Sequence, residues 1–257
     1  MIELQIRRRA STDGPAQNSR VRWNPEKSAV ILCDMWDDHH CSSAASRVAE
    51  MAPRMNEVVA ELRAQGTLVV HAPSSCMAFY QGTSARQRAV ECPQCDPPVA
   101  IDWNDPSPER ESPLPPAFSD PGPCSCESLE PCCGPDVTYP WARQIPSIVI
   151  EDGDAVTDDG YEVFNLLEAQ QIDDVVVMGV HTNLCVLGRP FGIRQLVYLG
   201  KRPLLCRDLT DSFHRDKCGH FRGTELVIAH IERFWCASVT SDQLVGGRPF
   251  RFADDIS

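Results

Sequence analysis

Val175-Val176-Val177-Met178-Gly179-Val180 carries no polar residue at either alternation. A strand of this kind has no solvent-facing side. It is stable only inside a sheet covered on both faces, the arrangement that parallel α/β sheets provide. Ser28-Ala29-Val30-Ile31-Leu32-Cys33 is a second run of the same type. The later run breaks at Gly179 and continues as His181-Thr182-Asn183-Leu184-Cys185-Val186, which predicts a tight connection and a helix starting near Thr182 or Asn183. Cys185 then falls in the first helical turn. Unpaired amides and the positive end of the helix dipole favour a thiolate there. A buried structural thiol is the alternative.

The rest of the chain repeats the alternation of strand and helix. Apolar residues at Val48, Met51, Met55, Val58, Val59 and Leu62 mark one face of a helix over 42–65, ended by Gly66. Strands are predicted at 67–71, 146–150, 202–206 and 237–240, and helices at 84–90, 160–171, 182–199 and 223–235. Alternation of this sort implies right-handed crossovers, a parallel sheet and helices on both faces. Residues 1–27, which include Arg7, Arg8 and Arg9, show no core-forming period and read as an N-terminal arm; residues 28–257 read as the domain.

From Glu91 to Pro140 the texture changes to proline, scattered acids and six of the thirteen cysteines: Cys92, Cys95, Cys124, Cys126, Cys132 and Cys133. A structureless loop of this length is uncommon inside a domain, so 91–140 reads as a Cys/Pro-rich insertion held by cross-links or metal. Cys92-x-x-Cys95 resembles half of a zinc site, but the irregular spacing of the others favours disulfides. Such cysteine usage leans towards an oxidising compartment. The net charge of −12 argues against a nucleic-acid partner. No apolar run approaches the roughly 20 residues of a membrane span, and the expectation is a soluble protein with no membrane partner.

Chemistry-bearing residues collect where the predicted strands end. Asp34 comes directly after the first apolar run, with Trp36, Asp37, His39 and His40 behind it. In open parallel sheets ligands bind at that edge, so Asp34 is placed either for chemistry or as a loop or helix cap. His71 ends the next strand and is either a structural histidine or a substrate or metal contact. Asp37, His39 and His71 are also a conceivable zinc set. Trp36, Asp37, His39, His40, His71 and Phe191 are the candidate pocket residues.

Asp34 together with Gly179-Val180-His181-Thr182-Asn183-Leu184-Cys185-Val186 resembles the isochorismatase-like cysteine hydrolases, the family of nicotinamidase and N-carbamoylsarcosine amidohydrolase. The resemblance spans roughly 28–240, interrupted by the insertion. It implies a three-layer α/β/α, Rossmann-like fold with a six-stranded parallel sheet, a homo-oligomer and a small-molecule substrate, with no cofactor required. It further implies that Asp34 takes the Cys185 proton and that the thiolate attacks an amide-like carbonyl to form a thioester. A cis peptide maps to Val180-His181, and the amides of His181 and Cys185 map to the oxyanion hole. The family lysine should stand at the end of the third strand. This chain has Glu151 or Asp152 there, and its three lysines, Lys27, Lys201 and Lys217, lie elsewhere. Either an arginine such as Arg86 or Arg189 substitutes, or the site is catalytically impaired and binds a small molecule or partner instead.

Overall fold

The structure, a computed structural model, describes residues 1–114, 139–213 and 220–255. One sheet of eight strands organises it. In chain order these are β1 (Ile2–Arg9), β2 (Ala16–Trp23), β3 (Ser28–Cys33), β4 (Leu68–Ala72), β5 (Ala155–Val156), β6 (Asp174–Val180), β7 (Arg202–Asp211) and β8 (Ala237–Val239). Across the sheet the order is β2-β1-β8-β7-β6-β3-β4-β5. Every pairing from β8 to β5 is parallel, whereas β1 runs antiparallel to both β2 and β8.

β3 and β6 lie side by side at the centre, and their apolar runs are buried almost throughout. The strand period of two divides each run between two cores. Ala29, Ile31, Cys33, Val175 and Val177 join the core on one face; Val30, Leu32, Val176, Met178 and Val180 join the other. The second core is closed by α1 (Ser42–Ala64) through Val48, Met51, Met55, Val58, Val59 and Leu62, the stripe expected from spacing. The first is closed by α2 (Ser84–Val90), α3 (Gly160–Ala169), α4 (Cys185–Gly188), α5 (Ile193–Tyr198) and α6 (His220–Phe234). A short α7 (Asp242–Val245) completes the chain.

Four expectations need correction. Among the described residues the sheet has eight strands, not six, because the N-terminal 27 residues supply an antiparallel hairpin rather than an arm beside the six parallel strands. Ile2, Leu4 and Ile6 alternate with polar residues and face the core, a period-two signal masked by the arginines after them. The strand predicted at 146–150 is absent; the edge position is taken by Ala155–Val156, which extends the sheet by only two residue pairs. The single helix predicted over 182–199 is two short helices. Pro190 disfavours a helical Arg189 and cannot supply an amide hydrogen, so the chain turns before restarting at Ile193. Finally, β7 runs on to Asp211, five residues past the predicted end at Cys206.

The expected insertion contains no helix or strand over residues 91–114. Cys92 and Cys95 are free thiols, while Cys124, Cys126, Cys132 and Cys133 lie outside the described residues. Among the described residues no helix is long and apolar enough to cross a membrane.

Candidate active site

Parallel register brings the carboxyl ends of four strands to one place. Cys33 pairs with both Ala72 and Gly179, and Val180 pairs with Asp211. Gly179 permits this closeness. Its φ is +117°, and a Cβ there would stand 2.1 Å from the Cys33 carbonyl oxygen. Only glycine tolerates both conditions. Asp34, next after Cys33, has φ +51°, a left-handed conformation that aspartate adopts more readily than most residues. Its amide donates to the Ala72 carbonyl at 3.0 Å.

The connection from β6 to α4 contains the cis peptide Val180-His181. It is held from the neighbouring strand. The Thr182 amide donates to the Asp211 carbonyl at 2.9 Å, and the Thr182 and Thr210 hydroxyls are 2.7 Å apart. The Asn183 side-chain amide clips Phe213, its Nδ2 donating to the Phe213 carbonyl and its Oδ1 accepting from the Phe213 amide. The amides of Leu184 and Val186 both point back to the His181 carbonyl. Cys185 therefore begins α4, at a position defined by backbone bonds on both sides.

Asp34 is fully buried, and it and the Cys185 thiol are close enough that each bears on the other's proton affinity. The Ser74 amide donates to Oδ1 of Asp34 at 2.8 Å. Nε of Arg189 donates to Oδ2 at 3.1 Å, forming an ion pair. Burial raises the proton affinity of Asp34, and Arg189 works against that rise. Burial likewise pushes the Cys185 thiol far up, with a further push from the charge of Asp34, while Arg189 and the His181 amide favour the thiolate. Although burial disfavours its charge, Arg189 is held protonated by Asp34. At rest the geometry is a neutral thiol beside a carboxylate neutralised by a guanidinium.

Above Cys185 opens a cavity of about 250 Å³ lined by Trp36, His39, Trp141, His181, Arg189 and Phe213, with His40, Tyr139 and Leu184 at its sides. Trp36 and Trp141 stack with ring centroids 4.1 Å apart, and Tyr139 stacks on Trp141 at 4.6 Å. Burial and the neighbouring imidazoles push His39 down to about 2, and burial brings His181 to about 3. The histidines of the wall are thus uncharged at neutral pH, leaving Arg189 as the charged group among the lining residues.

Of the candidates from sequence, Asp34, Cys185, Trp36, His39, His40, His181 and Arg189 meet here. The others do not. His71 is fully buried away from the cavity, sharing hydrogen bonds with Gln144 at 2.9 Å and Asp154 at 3.0 Å. Asp37 accepts from the amides of Ala142 and Arg143. Phe191 packs in the core because the turn at Pro190 directs it inward. Glu151 is more than half exposed and pairs with Arg63 at 3.1 Å, so it does not stand beside Asp34. Arg86 is engaged by Glu162.

Zinc finds no support in these positions. Both ring nitrogens of His71 are already bonded, and Asp37 is turned to a loop. Among the described residues no group of three or more His, Cys, Asp or Glu is arranged to hold a metal ion. Sequence reasoning missed Tyr139, Trp141 and Phe213. The aromatic pair around Pro140 at the exit of the proline-rich stretch was the available signal.

Sheet and site together define an α/β protein with a thiol, a carboxylate and a guanidinium at the carboxyl edge of its central strands. Its fold is shared with a cysteine hydrolase from Pseudomonas syringae pv. phaseolicola 1448A, at 15% identity and a TM-score of 0.52, covering 88% of this chain and 94% of that one. An isochorismatase from Pseudomonas putida KT2440 matches at 12% identity and a TM-score of 0.50, covering 86% and 91%. At such identities the likeness concerns the fold, and the resemblance drawn from Asp34 and the Cys185 stretch is borne out at that level. No family model matches the sequence, and no curated protein matches it.

Proposed function

We propose that the protein is a cysteine-nucleophile hydrolase of a small amide-like carbon–nitrogen substrate, working through a thioester. The observation that carries this reading is Cys185 in the wall of an aromatic cavity beside Arg189, which is ion-paired with the buried Asp34. Asp34 takes the thiol proton as the Cys185 sulfur attacks the carbonyl carbon. The carbonyl oxygen becomes an oxyanion facing the backbone amides of His181 and Cys185, donors of a kind worth about 3 kcal/mol each. Collapse breaks the carbon–nitrogen bond, and the departing nitrogen takes the proton from Asp34. Water then gives a proton to Asp34 as its oxygen attacks the thioester. A second collapse releases the carboxylic acid, and the thiolate recovers its proton.

Arg189 fills the electrostatic role left open by the missing lysine. It lies four residues beyond the nucleophile instead of on a neighbouring strand, and it favours the anionic form of both partners. A binding-only role drew its motive from an acid in the lysine position. Glu151 is paired with Arg63 and Asp152 with Ser84 instead, which favours the hydrolase reading.

Incubation with a panel of small primary amides and ureido compounds, with ammonia release and intact mass as readouts, tests the reading. A hydroxylamine-sensitive acyl adduct on Cys185 and complete loss of turnover in Cys185→Ala are expected. Undiminished turnover in Cys185→Ala sinks the proposal.

A further inference from the structure

Arg189 acts electrostatically from the end of a short helix, and an unsupported guanidinium has many rotamers. A support comes from outside the alternating strands and helices. Residues 100–111, part of the segment read as an insertion, cross the outer side of α4 and α5 as a strap. Gln195 donates to the Ala100 carbonyl at 3.2 Å and accepts from the Asp102 amide at 3.2 Å and from the Asn104 side chain at 2.8 Å. The Asn104 amide donates to the Gly188 carbonyl at 2.7 Å, one residue before Arg189. Arg194 donates to the Asn104 carbonyl at 3.0 Å.

At its far end the strap is anchored by Glu111, which is 3% exposed. Its carboxylate accepts from Arg194 at 2.8 and 3.0 Å and from the Trp235 indole at 2.8 Å, and it pairs with His230 at 2.6 Å. A buried acid with five hydrogen bonds to its two oxygens, the fifth from the Ser107 amide at 3.2 Å, holds its segment in one place. Between these ties sits Trp103. Its ring is fixed by a 3.0 Å bond from Nε1 to Asp105 and rests on Gly188, where a Cβ would come within 2.9 Å of Cζ2. The guanidinium carbon of Arg189 lies 5.6 Å from the Trp103 ring centroid.

We propose that Trp103 is a positioning residue: its ring, held by the strap, keeps the Arg189 guanidinium on Asp34 and Cys185. Gly188 is the small residue that admits the ring, and Glu111 is the anchor that holds it. The inference rests on the hydrolase reading for its consequence, but its geometry does not depend on any substrate. Trp103 is 40% exposed, so truncating it leaves both cores untouched.

The test is the pH profile of Cys185 alkylation by iodoacetamide, read peptide by peptide so that the other thiols do not contribute. A surface cation–π contact is worth about 0.5–1 kcal/mol, which corresponds to roughly a threefold change in rate at fixed pH, or a shift of about half a pH unit. Trp103→Ala is expected to move the rising limb of the profile upward by that amount, and Trp103→Phe to restore it. Arg189→Ala is expected to shift the limb further, and adding Trp103→Ala to it is expected to have no further effect. An unchanged profile in Trp103→Ala overturns the proposal. So does an equal slowing of the Arg189→Ala background, which would mean a merely structural role. Absence of turnover on every amide, with these shifts in alkylation still present, would reject the hydrolase reading and leave the positioning role standing.

Discussion

Replacing Arg189 by glutamine removes the one charge that faces Asp34 in the cavity wall. At 3.1 Å, opposite unit charges in an effective dielectric of about 20 attract by ~5 kcal/mol. The Arg189 side chain is 26% exposed, and solvent screening reduces this to about 2–3 kcal/mol. Asp34 need not remain an unpaired buried anion, because it can take a proton. Its proton affinity is already raised in the folded protein, first by burial, so its ionisation works against the fold. The stability associated with it is fully present below the ordinary carboxylate value of 3.8 and is lost as pH rises through the raised folded value. Arg189 limits that loss. Arg189→Gln should therefore be less stable than the parent by about 2–3 kcal/mol at neutral pH, and the difference should shrink towards zero near pH 4. Urea unfolding monitored by circular dichroism reads this as a midpoint lower by about 1 M at pH 7. The same substitution should lower turnover at pH 7, because loss of the guanidinium raises the proton affinity of Asp34 further and weakens its hold on the ionised state that accepts the thiol proton. Equal midpoint differences at pH 7 and pH 4 would refute the electrostatic account.

Two further outcomes separate two other acids by their environment. Glu151→Lys should leave amide turnover unchanged and cost under about 1 kcal/mol, since the partly exposed pair with Arg63 is all it replaces; a gain in activity, measured as ammonia release, would return residue 151 to the active site. Burial works against the charge of Glu111, but its bonds from His230, Arg194 and Trp235 outweigh this and hold it down to about 2. Its stabilisation is complete above the ordinary value of 4.5 and is lost as pH falls towards about 2, so Glu111→Gln should flatten the stability profile over that acid window and lower stability at pH 7 by about 3 kcal/mol, measured by urea unfolding.

Local pattern carried the α/β class, both central strands and the edge at which chemistry collects. Asp34 and Cys185 could be singled out because each comes soon after a fully buried run, and residues just past the end of a strand in sequence must also lie near its end in space. The hairpin at the N-terminus was equally local, yet Arg7, Arg8 and Arg9 hid the alternation of Ile2, Leu4 and Ile6. The edge strand failed for a different reason: with two paired residues, its place is set by the register of β4 and not by any preference of its own.

Tertiary structure alone decided which groups meet. Arg189 reaches Asp34 across 155 positions, and Glu111 reaches His230 across 119. No spacing rule predicts such pairs, because they depend on the order of strands in the sheet and on where a strap crosses the helices. The same holds for His71, whose place at a strand end suggested a site residue, whereas in the fold Gln144 and Asp154 satisfy it. Hydrophobic periodicity reports which face of an element is buried, a property each segment carries by itself; the partner of a buried charge belongs to two segments at once and comes into being only when they pack.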